Sequence, residues 1–484
     1  MMTNSARPIR TADDLRGRRA LVLGFARSGM AAARFLVDAG ADVTVYDRRP
    51  AAELAEAVAG LEARPVRLAL GVGQAEAEAL VAGADLLVAS PSISPRFPTT
   101  DPWLREALAA AEALGAELIS EVELFLRLTQ ARVLAVTGTK GKTTTAALLD
   151  AMLEAGGLSH VLGGNIGQPL IESARELTHE DWAVVELSEL QLPTISRGAD
   201  VAVYTNIMAD HLDRHGSVEA YRAVKWRLAA LTAQGGGRVV LNADDPVSAA
   251  LGGQLGSATP AWYSSQPGSE DVRLTEAEAF IEGTWVTLHG ERLLPIADLP
   301  LPGAHMRADL LAAALGASLA GVEPAAIASA IRSFKGVPHR METVAERAGV
   351  RWVNDSQATI PVAAIAALEA FAPARVVLIA GGQGKGLEYQ AFAEAIVAHC
   401  RAAIFMGETG AELERLVAGR VPVRRVAGME EAVRAAAAVA HAGDVVILSP
   451  AAASFDMFTD YAVRGAAFRD AVAALSPTAR SNRT

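Results

Sequence analysis

The chain has 484 residues, of which 51% are hydrophobic and 20% are charged, and its formal net charge is −11. This composition excludes wholesale disorder, and the negative charge argues against nucleic acid or an anionic membrane as the main partner, because both need positive fields. A lone cysteine, Cys400, no signal-peptide-like apolar core and no apolar window of about 18 residues together predict a cytoplasmic protein.

Short apolar runs alternate with alanine- and leucine-rich helical stretches, which predicts βαβ units and an α/β fold with parallel sheets. The predicted strands are Ala20–Leu23, Asp42–Tyr46, Leu86–Ala89, Val133–Thr137, Ala183–Leu187, Val201–Thr205, Val239–Asn242, Val376–Ala380, Ala403–Met406 and Val445–Leu448. Continuous apolar strands indicate sheets that are covered on both faces. Phe280–Leu288 and Leu293–Leu294, with a turn at His289-Gly290, predict an antiparallel excursion.

Two breaks divide the pattern, one near Gln130–Ala131 and one at Lys335-Gly336-Val337-Pro338. At about 150 residues per domain, a chain of this length predicts three domains. We place them at 1–130, 131–335 and 336–484.

The first predicted strand runs into Gly24-Phe25-Ala26-Arg27-Ser28-Gly29, a degenerate GxGxxG pattern, and Asp47 ends the next strand. Such a strand–turn–helix predicts a Rossmann-like domain that binds a nucleotide diphosphate. An NAD-dependent oxidoreductase is therefore one alternative, although a second phosphate loop further along the chain makes a plain dehydrogenase the weaker reading.

That second loop reads Thr137-Gly138-Thr139-Lys140-Gly141-Lys142-Thr143, between the strand Val133–Thr137 and a helical stretch predicted to start at Thr144. Glycines let backbone N–H groups face an anion, and the start of a helix adds a positive dipole end. Lys142 can reach the β- and γ-phosphates of ATP, and the Thr143 hydroxyl can bind Mg²⁺. Val136 replaces the glycine of the strict P-loop, so the loop is a shorter variant.

Acidic and histidine side chains follow the neighbouring strands. Glu186 ends one strand, where a carboxylate beside a phosphate loop is well placed to hold Mg²⁺. The next strand leads into Asn206-Ile-Met-Ala-Asp-His211, and His211 could bind metal or orient substrate. Lys225 lies in a predicted helix, where a lysine taken alone is a solvated charge.

With these residues in view, nearly the whole chain resembles the Mur ligase family. The resemblance rests on TGTKGKTTT (137–145), GGNIGQPL (163–170), ELSELQL (186–192), NIMADHLDRH (206–215), NADDP (242–246), VPHRMETV (337–344), NDSQAT (354–359), GGQGKG (381–386) and LSPAAASFDMF (448–458). It implies a UDP-binding Rossmann-like domain, a central P-loop ATPase domain and a C-terminal Rossmann-like domain. The likeness is greatest to the member that adds D-glutamate to UDP-N-acetylmuramoyl-L-alanine through an acyl-phosphate, in peptidoglycan precursor synthesis.

The resemblance also implies roles for individual residues. Lys142, His211 and Lys225 fall on catalytic positions, and Thr143, Glu186, His211 and Lys225 fall on those that hold two Mg²⁺ ions, with Lys225 carbamylated. The implied ATP-binding residues are Gly138, Thr139, Lys140, Gly141, Lys142, Thr143, Thr144, Arg340 and Asp355. The implied contacts of the UDP-substrate are Gly24, Ser28, Asp47, Ser90 and Asn165, and those of glutamate are Lys385, Ser454 and Tyr461. From the residues alone, Ser454 could instead cap a helix containing Phe458, and Tyr461 could be a core residue.

Several positions depart from the family's motifs. Gln357 replaces a lysine, Glu189 and Leu190 stand at the centre of ELSELQL, and Met306 and Asp309 replace two asparagines. These changes leave the acyl-phosphate chemistry intact but bear on adenine and amino-acid recognition. An L-glutamate-adding or other Mur-type ligase and a folate polyglutamate synthase, which normally lacks the first domain, are alternatives. We expect a monomer that binds ATP, glutamate and UDP-N-acetylmuramoyl-L-alanine, and neither nucleic acid nor membrane.

Overall fold

A computed structural model of the chain describes residues 8–208, 212–256, 258–266, 277–299, 304–384 and 387–475. The chain forms two compact units: one comprises Met1–Leu299 with Ala304–Ser333, and the other contains Phe334–Thr484. The first unit carries two β-sheets and the second carries one, each with helices between its strands, which confirms the predicted α/β class. No helix within the described ranges is long and apolar enough to cross a membrane. The three predicted domain ranges stay a prediction.

The first sheet is parallel and has five strands. They are β1 (Arg19–Leu23), β2 (Asp42–Asp47), β3 (Arg67–Leu70), β4 (Leu86–Ala89) and β5 (Glu117–Ile119). The accompanying helices are α1 (Arg27–Asp38), α2 (Ala55–Ala59), α3 (Gln74–Gly83), α4 (Pro102–Ala113) and α5 (Glu121–Leu128). The spatial order is β3-β2-β1-β4-β5. The chain reverses direction across the sheet between β1 and β4, which is where open α/β sheets form a ligand-binding crevice.

The second sheet extends from parallel strands into an antiparallel edge. Its strands are β6 (Arg132–Thr137), β7 (His160–Gly164), β8 (Trp182–Glu186), β9 (Val201–Tyr204), β10 (Arg238–Asn242), β11 (Ala261–Ser264), β12 (Ala279–Glu282), β13 (Trp285–Leu288) and β14 (Glu291–Pro295). Its helices are α6 (Lys142–Ala155), α7 (Leu212–His215), α8 (Val218–Gln234), α9 (Pro246–Gly252), α10 (Ala304–Leu319) and α11 (Pro324–Ser333). The order is β14-β13-β12-β11-β10-β9-β6-β8-β7. Since β12, β13 and β14 pair antiparallel, the predicted excursion is confirmed.

The third sheet lies in the second unit. Its strands are β15 (Glu342–Arg347), β16 (Val350–Asn354), β17 (Val376–Ala380), β18 (Cys400–Phe405), β19 (Val423–Arg425) and β20 (Val445–Leu448), and its helices are α12 (Pro361–Ala370), α13 (Gln390–His399), α14 (Gly410–Val417), α15 (Met429–Val439) and α16 (Tyr461–Ala473). The order is β15-β16-β20-β17-β18-β19, with β15 antiparallel to its neighbour. The carboxyl ends of the parallel strands β16, β20 and β17 therefore lie side by side.

Helix α5 ties the first sheet to the second. Glu123 accepts hydrogen bonds from the backbone N–H of Ser196 (2.9 Å) and from its hydroxyl (2.5 Å), and it also pairs with Arg127. The Glu121 carboxylate accepts a hydrogen bond from the backbone N–H of Ile171 (2.8 Å). Burial raises the pKa of Glu121 to about 7, against the effect of that hydrogen bond. The apolar face of α5 is buried in the core that both sheets share, so the two sheets pack as one body.

Candidate active site

The phosphate loop has the geometry that its two glycines predict. Gly138 has φ +150°, and a Cβ there would lie 1.9 Å from Thr205 Oγ1. Gly141, with φ +85°, is the N-cap of α6, and a Cβ there would lie 2.1 Å from Asp309 Oδ1. Only glycine fits either place. Helix α6 begins at Lys142 rather than at the predicted Thr144, which brings the lysine into the first turn.

The side chains of the loop point back towards its own backbone. Lys142 Nζ donates to the carbonyl oxygens of Gly138 (3.1 Å) and Thr139 (2.9 Å). Thr143 and Thr144 are buried in the first turn of α6. The backbone N–H of Lys140 donates to Asn206 Oδ1 (3.0 Å). The ammonium group of Lys142 therefore sits over the loop, at the positive end of a helix, where an anion is favoured.

Glu186 lies at the end of the strand next to the one that leads into the loop. It ends β8, paired in register with Val136 of β6, and the residue is 1% exposed. Its Oε1 accepts a hydrogen bond from Asn165 Nδ2 (2.8 Å), whereas its Oε2 is buried and has no hydrogen-bond partner among the described residues. A buried carboxylate oxygen without a donor is an unusual and costly arrangement, so it suits a cation.

Lys225 is fully buried in α8, although a solvated charge was expected from the residue alone. Its Nζ donates to the Gly138 carbonyl (2.9 Å) and to Thr137 Oγ1 (3.3 Å). The solvated interpretation is wrong, because the Tyr204 hydroxyl of β9 donates to the Lys225 carbonyl and holds α8 against the sheet, with the lysine turned inward and its Nζ 5.6 Å from the centroid of the Tyr221 ring. Lys142 and Lys225 thus meet at the Gly138 carbonyl, just after β6 ends, and Glu186 ends the neighbouring strand β8.

The predicted metal set is only partly covered by the described residues, since His211 lies outside them. Among the described residues, no group of three or more His, Cys, Asp or Glu side chains could by itself hold a metal ion. The oxygen atoms available as metal ligands are the Thr143 hydroxyl and Glu186 Oε2, which has no hydrogen-bond partner in the described part of the chain. Hydroxyl and carboxylate oxygens are ligands that Mg²⁺ takes together with water and substrate phosphates rather than in an all-protein cage, so these residues fit that ion.

The first sheet brings Gly24, Asp47 and Ser90 to the ends of adjacent strands, with Ser28 in the first turn of α1. A Cβ on Gly24 (φ +93°) would lie 3.0 Å from the Cβ of Ser90. The Asp47 carboxylate accepts hydrogen bonds from the Phe25 N–H (2.8 Å) and from Arg49 (2.8 Å). Burial alone would raise the pKa of Asp47, but these hydrogen bonds outweigh burial and lower it to about 2. Asp47 therefore fastens the glycine turn to β2.

The second unit brings Arg340 and Asp355 together. His339 and Met341 have φ +62° and +50°, so the chain turns sharply around Arg340. Asp355 follows β16 and accepts hydrogen bonds from Ser449 Oγ (2.8 Å) and the Met341 N–H (3.2 Å). Burial raises the pKa of Asp355 to about 7, with the charge of Arg340 acting in the opposite direction.

Of the three residues expected at the glutamate site, Lys385 lies outside the described residues. Ser454 is buried, but it caps no helix: the next helix begins at Tyr461, with the Asp460 carboxylate accepting from the Val463 N–H (2.8 Å). The helix-cap alternative for Ser454 is therefore wrong. The core alternative for Tyr461 is also wrong, since its side chain is 38% exposed.

Three residues, two beside the phosphate loop and one in the second unit, were not predicted from the sequence or received no role. Tyr221 shares a 2.9 Å hydrogen bond with Thr139 Oγ1, and its position four residues before Lys225 on a predicted helix was a usable signal. Asp309 was noted as a departure and lies against Gly141. Arg464 is fully buried and donates to Ser356, Ala452 and Ala453, and no pattern in the sequence distinguishes it from a surface arginine.

Three family models match successive parts of the chain. They are the Mur ligase MurD-like N-terminal domain at residues 18–120, the Mur ligase middle domain at 136–317 and the Mur ligase glutamate ligase domain at 339–452. Among solved structures, the UDP-N-acetylmuramate-alanine ligase MurC of Thermotoga maritima covers 94% of this chain with 98% of its own, with a TM-score of 0.58 and 18% identity, and so shares the fold.

Curated relatives are much closer in sequence. The UDP-N-acetylmuramoylalanine–D-glutamate ligase of Solibacter usitatus is 39% identical over 96% of this chain and 99% of its own length. The protein of the same name from Caldanaerobacter subterraneus is 37% identical over 95% of this chain and 99% of its own. With the loop at 138–141 and three matching domains, the chain belongs to the Mur ligase family.

Proposed function

We propose that the chain is an ATP-dependent ligase that adds D-glutamate to UDP-N-acetylmuramoyl-L-alanine in peptidoglycan precursor synthesis. The observation that carries this proposal is that Lys142 and Lys225 both donate to the Gly138 carbonyl of the phosphate loop, with Glu186 at the end of the neighbouring strand β8. The relatives named UDP-N-acetylmuramoylalanine–D-glutamate ligase, which align over nearly the full length of the chain, support the choice of substrates.

The reaction proceeds in two steps. A carboxylate oxygen of the alanyl group attacks the γ-phosphorus of ATP, and the bond to ADP breaks, which gives an acyl-phosphate and ADP. The amine of glutamate then attacks the acyl carbon, loses its proton as the amide forms, and inorganic phosphate leaves. Phosphorylation is needed because a carboxylate oxygen is a poor leaving group.

The loop stabilises the charge that moves in the first step. Gly138, Thr139, Lys140 and Gly141 form the loop, in which Asn206 holds the N–H groups of Thr139 and Lys140, and the N–H groups at the start of α6, Lys142–Thr144, would face the phosphates. Lys142 would leave the loop carbonyls for the γ-phosphate, since an ammonium and a phosphate attract each other as opposite charges, which a neutral carbonyl does not offer. Preorganised donors of this kind supply the largest share of catalysis in phosphoryl transfer.

Thr143, Glu186, His211 and Lys225 are the residues that we propose to hold Mg²⁺. Bound there, Mg²⁺ would neutralise phosphate oxygens and polarise the phosphoryl group. Lys225 contributes an oxygen ligand only if its amine is carbamylated, which turns a cation into an anionic group suited to a hard metal. Two metal sites and a carbamylated Lys225 are parts of this proposal, and His211 would also position the tetrahedral intermediate.

The remaining contacts divide between the other two predicted domains, 1–130 and 336–484. We assign the UDP-substrate to a set of residues at the ends of the first sheet's strands and beside β8: Gly24, Ser28, Asp47, Ser90 and Asn165. Arg340 and Asp355 would contact ATP, and Lys385, Ser454 and Tyr461 would contact glutamate. A cleft beside the end of β4, lined by Ser90, offers room next to the first of these sets.

Phosphate release with each candidate substrate tests the proposal. Purified protein with ATP, Mg²⁺ and UDP-N-acetylmuramoyl-L-alanine is expected to release phosphate on addition of D-glutamate, and to do so far less with L-glutamate. The Lys142→Ala variant is the control and should release none. NADH oxidation with no glutamate-dependent phosphate release would reject the ligase in favour of an oxidoreductase, and a preference for L-glutamate would reject the stereochemistry alone.

A further inference from the structure

The carboxylate of Glu186 is held in an asymmetric environment. Strand β8 lies between β6 and the edge strand β7, and Glu186 at its end is 1% exposed. Within the described residues, Oε1 has a hydrogen-bond donor at 2.8 Å and the buried Oε2 has none. The two oxygens are therefore not equivalent, and whatever fixes Oε1 also decides where Oε2 points.

Asn165 is the residue that fixes Oε1. Its backbone N–H donates to the Glu186 carbonyl (2.9 Å), and its Nδ2 donates to Glu186 Oε1 (2.8 Å). The preceding Gly164 has φ +98°, and a Cβ there would lie 2.3 Å from the Glu186 carbonyl oxygen, so glycine lets the backbone come this close. Two bonds from one residue to another leave the Asn165 amide little freedom to turn away.

We propose that Asn165 is a positioning residue that holds the Glu186 carboxylate so that Oε2 is presented to a divalent cation beside the phosphate loop. The proposal rests on the metal-dependent ligase function given above. A neutral amide suits this task, because it orients the carboxylate without neutralising the charge that the cation needs. An arginine or lysine in its place would compete with the cation for the same oxygens.

This role differs from the contact with the UDP-substrate that the family resemblance implies for Asn165. Asn165 is exposed although the carboxylate that it holds is buried, so its amide oxygen and second N–H can serve another partner. The two roles make different predictions: a positioning residue controls cation affinity, whereas a substrate contact controls the KM for the UDP-substrate.

Cation binding measured without turnover separates the two roles. Mn²⁺ binding to the full chain in the presence of ADP is followed by the electron paramagnetic resonance signal of free Mn²⁺. Asn165→Ala and Asn165→Leu, the latter of similar volume, both remove the amide donor. Gln168→Ala, an exposed residue of the same loop, is the matched control. We expect both Asn165 variants to bind Mn²⁺ about 10- to 100-fold more weakly, as is typical for partners of metal ligands, and Gln168→Ala to bind as the wild type does.

Unchanged Mn²⁺ affinity in both Asn165 variants would overturn the proposal, whether or not the KM for the UDP-substrate rises. A loss of affinity that Gln168→Ala shares would also overturn it, because it would reflect disruption of the loop. The proposed function fails separately: wild-type protein that releases no phosphate with the UDP-substrate and D-glutamate would reject the ligase, whatever Asn165 does to Mn²⁺ binding.

Discussion

The buried carboxylate of Glu121 makes the stability of the first unit depend on pH in a predictable direction. Burial raises its pKa from 4.5 to about 7. The folded state therefore binds a proton more tightly than the unfolded state, and stability is lost as pH rises from about 4.5 to 7. At 1.36 kcal/mol per pKa unit, this difference corresponds to about 3 kcal/mol.

Glu121→Gln isolates this contribution. Glutamine keeps an oxygen that can accept the Ile171 N–H and stays neutral at every pH. We expect the variant to gain about 3 kcal/mol relative to the wild type between pH 4.5 and pH 8, whatever constant offset the amide introduces. Glu76→Gln, on an exposed part of α3, is the control and should follow the wild type at all pH values.

Amide hydrogen exchange at several urea concentrations suits this measurement, because a chain with two compact units need not unfold in one step. Peptides that cover α5 and Leu170–Ser173 report the free energy of opening where Glu121 acts. A difference between Glu121→Gln and wild type that stays constant within about 0.5 kcal/mol from pH 4.5 to 8 would refute the reasoning, since it would mean that Glu121 titrates as it does in the unfolded chain.

Three further predictions concern single residues of the two units. Lys225→Met removes an ammonium group that donates to Gly138 and Thr137, and we expect phosphate release to fall at least about 100-fold. Full activity of this variant would count against a carbamylated Lys225. So would wild-type activity that does not change when bicarbonate is removed. Gly141→Ala should weaken the binding of an ATP analogue, measured by calorimetry, far more than Gly157→Ala does. Both glycines have a left-handed φ, which costs an alanine about 1–2 kcal/mol, but only an alanine at 141 would also clash with Asp309. Arg464→Met removes the arginine donor of the Ala452 carbonyl and one of the two donors of the Ala453 carbonyl, which keeps the Gln383 N–H. We expect a loss of about 3 kcal/mol in the urea stability of the second unit, with a smaller loss in Arg464→Lys, and equal stability of all three proteins would contradict this.

The sequence predicted the positions of polar residues correctly where these residues directly follow a buried parallel strand. A buried parallel strand ends at one edge of its sheet, so polar residues directly after it, such as those after β6 and β8, can be assigned to that edge without knowing the fold in detail. Strands without a continuous apolar run escaped notice: Arg67–Leu70 and Glu342–Arg347 are largely exposed or half-buried edge strands. Their pairing depends on a neighbouring strand, which no local pattern reveals.

Burial of charged side chains was the least predictable property. Lys225 has the same local sequence surroundings as a surface lysine, and only the packing of α8 against β9, through the hydroxyl of Tyr204 on the Lys225 carbonyl (2.7 Å), turns it inward. Ser454 was expected as a possible helix cap because serine favours that position, but Asp460 occupies it. For Lys225 a tertiary contact outweighs the local preference, whereas for Ser454 the helix simply begins later, at Tyr461.

The carbonyl of Gly138 connects helices α6 and α8 through hydrogen bonds. It accepts hydrogen bonds from Lys142 of the loop's own helix and from Lys225 of α8. The two ammonium groups differ in freedom, since Lys142 is half-buried in the first turn of a helix whereas Lys225 is fully buried. A phosphate arriving at the loop can therefore draw Lys142 from the carbonyl at small cost, while Lys225 holds the loop as long as its amine is not carbamylated. The same carbonyl is close to both because only glycine, with φ +150° against Thr205, lets the loop turn there.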